Sequence, residues 1–108
     1  MATQIERNGK LEITAIAADW DYKTSKPEGW PDFPRLSSIK FNPGAADDKI
    51  KICEESDGGP EIFYVSCADV NDQRVEYYHG QHATPYIDFT ASTLSAGHKV
   101  VIKLWREA

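Results

Sequence analysis

The sequence predicts an all-β protein: a single antiparallel β-sandwich, jelly-roll- or Ig-like, of about seven to eight short strands. Three observations carry this expectation. Apolar and polar residues alternate with period two in one short run after another, the pattern of strands with one face on a core. Apolar spacing of the helical kind is hard to find. Clusters of Asn, Asp, Ser, Gly and Pro cut the runs at short, near-regular intervals and supply the backbone angles that tight reversals need.

Residues 1–10 read as a weakly ordered arm or an added edge strand, and residues 11–108 as one sandwich domain. Leu11, Ile13 and Ala15 alternate with Glu12, Thr14 and Ile16 as a first strand. A loop at 22–35 follows, stiffened by Pro27, Pro31 and Pro34. Ile39 and Phe41 alternate with Ser38 and Lys40, and Asn42-Pro43-Gly44 turns that strand toward the next, where Ile50 and Ile52 alternate with Lys49 and Lys51. Ser56 to Pro60 makes the following turn. Ile62 to Val65 is apolar on both faces, as in a strand covered on both sides. Val75 and Tyr77 form an inward face, which leaves Tyr78 outward. Tyr86 to Phe89 is a short strand, and Val100, Ile102 and Leu104 close the chain.

The net charge of −5, with basic residues dispersed along the chain, argues against a nucleic-acid partner, which would call for clustered lysine and arginine. No stretch approaches the roughly 20 apolar residues of a membrane span, and MATQIERNGKLEI has no apolar run of signal-peptide length. The expected setting is therefore the cytoplasm, with Cys53 and Cys67 as free thiols. Pairing Ile52 with Ile62 would set Cys67 opposite Asp47, about 20 Å from Cys53 at strand rise. That separation is far beyond the reach of ~7 Å that a disulfide allows.

Few residues suggest chemistry. Asp19 and Asp21 have the spacing of the first two calcium ligands of an EF-hand, and Asp32 could join them. Lys23, Thr24 and Trp30 occupy the fifth, sixth and twelfth positions and break that pattern, so the expectation is no metal. His79 and His82 lack the spacing partners of a zinc site, and His98 is remote in sequence. No nucleophile elbow, phosphate loop or dinucleotide fingerprint is present. We therefore expect neither cofactor nor enzymatic activity. Trp20, Trp30, Phe33 and Tyr78 are the candidate interface residues: the loop rings either cap the core or face a partner. A sugar-stacking site across residues 20–33, in a carbohydrate- or cell-surface-binding module, is the alternative function, with a glycan as ligand.

Three stretches together resemble a known group: IKFNPGAADDKIKI (39–52), DQRVEYY (72–78) and YIDFTASTLSAGHKVVIKL (86–104). They are similar to small β-sandwich accessory proteins of tailed-phage and prophage virions. The resemblance spans roughly residues 36–104 and rests on turn and strand residues; the Pro/Trp loop at 22–35 is longer here than that group would carry. The resemblance implies a capsid decoration or head/tail attachment protein. Such a protein is made in the host cytoplasm, forms a homo-oligomer, and binds a capsid or tail protein in the virion.

Overall fold

The period-two runs resolve into two antiparallel sheets in a computed structural model that describes residues 2–105. Along the chain these residues form β1 (Thr3–Arg7), β2 (Lys10–Thr14), β3 (Trp20–Asp21), the helical turn α1 (Tyr22–Ser25), β4 (Arg35–Asn42) and β5 (Lys49–Glu54). Then come β6 (Glu61–Ser66), β7 (Arg74–His82), β8 (Pro85–Ile87), a 3-10 turn (Phe89–Ala91) and β9 (Lys99–Leu104). One sheet has the order β1-β2-β9-β4-β7 and the other β3-β8-β5-β6. Pairs β2–β9, β3–β8, β4–β7 and β5–β6 are thus nested around a single β5–β6 turn. This is one long hairpin rolled into two layers, the jelly roll. The Ig-like option is set aside by that strand order.

β1 is an addition to the roll. Arg7 pairs with Lys10, and the two residues between them, Asn8 and Gly9, both take positive φ (54° and 76°). Such a two-residue turn matches the twist of the strands it joins. Residues 1–10 therefore contain an edge strand.

The core lies between the layers. Leu11, Ile102 and Ile39 form one cross-strand row of the larger sheet, and Ile13, Val100 and Phe41 form the next. Trp20, Ile87, Ile52 and Phe63 make a facing row in the smaller sheet. All are buried, each stabilising the fold by about 1.5–3 kcal/mol for an aliphatic or phenyl side chain removed from water.

Three expectations are corrected. Ile52 faces Phe63, one residue off the pairing with Ile62, because a bulge after Ile52 absorbs one residue of β6. The stretch 62–65 is not covered on both sides: β6 ends its sheet, and Tyr64 is exposed. Val75 and Tyr77 face solvent rather than core. They pair with Lys40 and Ser38 on the outer face, while Tyr78 turns inward and its hydroxyl donates to the Ile62 carbonyl at 2.7 Å. That bond occupies an edge carbonyl of β6, one way an edge strand is kept from pairing further.

Candidate interaction surface

The proline-stiffened loop folds back on the sandwich and spends its aromatic rings on burial. Trp20 and Trp30 are buried and Tyr22 is fully so. Their rings meet edge-on between Trp20 and Tyr22 (centroids 6.5 Å apart) and tilted between Tyr22 and Trp30 (6.4 Å). Each polar tip finds a partner. Trp20 Nε1 donates to Gln4 Oε1 (3.0 Å), Trp30 Nε1 to Glu6 Oε2 (2.6 Å), and the Tyr22 hydroxyl to the Pro31 carbonyl (2.6 Å). Burial, with the charge of Asp32 added, pushes the Tyr22 hydroxyl up to about 12. The loop therefore straps β1 to the sandwich through the inward residues Gln4 and Glu6.

Of the four interface candidates, Trp20 and Trp30 are buried, Tyr78 is half-buried with its hydroxyl held by Ile62, and Phe33 is 71% exposed. A stacking platform across residues 20–33 would thus have one ring. The acids separate too. Asp19 accepts from the Tyr86 hydroxyl and the Phe89 N–H, Asp21 caps α1 at the Lys23 N–H, and Asp32 pairs with Lys26. Among the described residues no three His, Cys, Asp or Glu side chains gather as a metal-binding group. Cys53 and Cys67 are free and buried.

The one constellation with a catalytic look, Asp48 with Ser95 and His98, proves to be structural. Ser95 Oγ donates to Asp48 Oδ1 (2.6 Å) and not to the imidazole. His98 Nε2 instead accepts from the Ile16 N–H (3.0 Å), so Nδ1 carries the proton toward the Ser95 carbonyl (2.8 Å). A serine nucleophile needs a base on its own hydroxyl, and here the base is taken. Asp48 Oδ2 also accepts from the Gly44 and Ser95 N–H groups (2.8 and 3.0 Å). The carboxylate thus ties the turn after β4 to the loop before β9. The chemistry of the NPGA and TLSAGH segments is that of a knot in the backbone.

What remains open is the outer face of the larger sheet, where strand pairing assembles residues that the sequence scatters. Directly paired residues share a face, so three rows can be read across the sheet. The first runs Ile5, Glu12, Val101, Lys40, Val75, and the second Arg7, Lys10, Lys103, Ser38, Tyr77. The third runs Thr3, Thr14, Lys99, Asn42. Five cations stand here against the single carboxylate of Glu12, which Lys99 meets at 3.8 Å. Among the described residues, Arg7, Lys10, Lys40 and Lys103 have no acid within ion-pair distance. Arg7, Lys10 and Lys103 lie directly opposite one another on three adjacent strands, an arrangement that costs roughly 0.5 kcal/mol per like-charged pair. Exposed Ile5 (46%), Val75 (46%) and Tyr77 (64%) lie among them. The face is therefore basic and studded with apolar side chains. Sequence order hid it because its five cations come from four strands.

Comparison with protein-family models, curated proteins and solved structures finds no match. No helix among the described residues is long and apolar enough to cross a membrane.

Proposed function

We propose that this protein is a non-enzymatic assembly component, an accessory virion protein of the capsid-decoration or head/tail-attachment type. It docks through the outer face of the β1-β2-β9-β4-β7 sheet. The observation that carries the reading is the in-register row Arg7, Lys10, Lys103, held without acidic partners among the described residues. A fold keeps such repulsion when a ligand of opposite charge relieves it. Two further features support the reading. Two of the stretches that resemble phage accessory proteins, 39–52 and 86–104, are tied together through Asp48, so that part of the resemblance is one of scaffold. The jelly roll also recurs in capsid proteins, a fold-level analogy that leaves function to the surface.

Co-sedimentation with virions, empty capsids and tails from the genome that encodes the chain tests this. The protein pellets with one of these particles in low salt, and Lys10→Glu/Lys103→Glu stays in the supernatant. Equal pelleting of the variant, or no pelleting of the parent with any of the particles, would refute the reading.

A further inference from the structure

The basic face has a complementary surface on the same molecule. Its five cations and one carboxylate make it +4, whereas the chain carries −5 in total, so everything outside it sums to −9. Much of that negative charge lies at one end of the other layer. Asp21, Tyr86, Cys53 and Glu61 form one row across β3-β8-β5-β6. Asp19 joins this row through the Tyr86 hydroxyl (2.9 Å), Glu54 ends β5 beside it, and the turn that follows adds Glu55 and Asp57. The Tyr86 hydroxyl registers this crowding. Its bond to Asp19 pushes it up to about 12, with burial and the charges of Asp19, Asp57 and Asp21 acting in the same direction. Lys23 pairs into this end on Glu55 at 3.4 Å, and Lys51, two residues before Cys53 on the same strand, is a second cation beside the row.

We propose that the basic outer face of one copy docks on the acidic β3-β8-β5-β6 end of a second copy, so that the chain assembles head to tail. This rests on the docking face proposed above and adds its occupant. Face-to-face pairing about a two-fold axis would set Arg7, Lys10 and Lys103 against the partner's identical row, so the isologous dimer is opposed by charge. The two complementary surfaces lie on opposite layers of the sandwich. A contact between them leaves one of each free at the ends, which makes the assembly heterologous: a ring where the rotation closes and a stack where it does not. The exposed Val75, Tyr77 and Ile5 supply apolar contact within the charged frame.

Sedimentation velocity of the full chain at about 100 µM decides the question, because charge-steered contacts weaken steeply as the Debye length falls from ~30 Å at 0.01 M salt to ~8 Å at 0.15 M. At low salt the expected result is species above the 12.1 kDa monomer, with at least about a tenfold loss of association at 0.3 M. Lys10→Glu/Lys103→Glu alone and Asp57→Lys/Glu61→Lys alone run as monomers. An equimolar mixture of the two reassembles, since each reversed surface now meets its complement; this also shows that both variants are folded. A monomer at every salt concentration, or reversed variants that associate as the parent does, overturns the proposal. A monomeric parent that binds heparin or single-stranded DNA through Lys10 and Lys103 overturns it in favour of a polyanion. If self-association fails while the lysine variant still loses the particles, the occupant is wrong and the docking face stands.

Discussion

Replacing Asp48 with alanine should cost more stability than any other single polar change in this chain. The side chain is fully buried and accepts from Gly44 N, Ser95 N and Ser95 Oγ. Its removal strands two backbone donors and a hydroxyl, at about 1–3 kcal/mol for each group left unpaired. Rotation of the hydroxyl and partial entry of water offset some of this, so the expected loss is about 4 kcal/mol. For a domain near 100 residues that lowers Tm by roughly 15–20 °C. Burial alone would raise the carboxyl, but the bonds from Ser95, Gly44 and Ala45 win and hold it below the usual carboxylate range. With the folded value depressed below the unfolded value of about 3.9, the stabilisation is present above about pH 4. It is lost as pH falls toward the folded value. Asp48→Asn, which keeps one acceptor but cannot ionise, should cost about 2 kcal/mol at pH 7 and flatten the acid limb. Urea titrations from pH 7 to 3, read as midpoint shifts at constant slope, measure both. A loss under 1 kcal/mol for Asp48→Ala would refute the turn-tie reasoning.

Three further outcomes are expected. A Cβ on Gly44 would meet the Ala96 and Ser95 carbonyls at 2.3 and 2.5 Å, whereas one on Gly58 meets nothing within 4 Å; Gly44→Ala should cost about 3 kcal/mol in thermal unfolding and Gly58→Ala under about 0.5. Trp30→Ala should cost about 3–5 kcal/mol through the cavity it leaves, while Phe33→Ala stays within about 0.5; equal effects would deny that the loop caps the core. Burial pushes both thiols up, so Cys53 and Cys67 should react with a thiol reagent only at the rate of unfolding, a prediction that rapid labelling of the native protein would sink.

The fold class was legible because alternation reports one-sided burial directly. Ile50 and Ile52, Val100 and Ile102, and Ile39 and Phe41 all lie on the face their pattern assigns. Asn8-Gly9 is a strong hairpin signal, and β1 follows from it once both residues are read as positive-φ turn formers. Alternation assigns a side chain to one of two faces without saying which face meets the core, and that ambiguity inverted Tyr77 and Tyr78 on an edge strand. Register failed by one residue at Ile52 because a bulge leaves little mark in composition. The site was the least legible part. Proline and aromatic residues drew attention to a loop whose rings are buried, while the Arg7-Lys10 hairpin pair meets Lys40, Lys99 and Lys103 only through pairing between distant segments. No local pattern encodes such a meeting.

Lysine acetylation read by mass spectrometry, on free protein and on protein bound in its assembly, bears most directly on the docking face. Lys10, Lys40 and Lys103 should lose reactivity on binding, while Lys49, on the other sheet, keeps it. Protection of Lys49 with Lys10, Lys40 and Lys103 unchanged would contradict the assignment of the face.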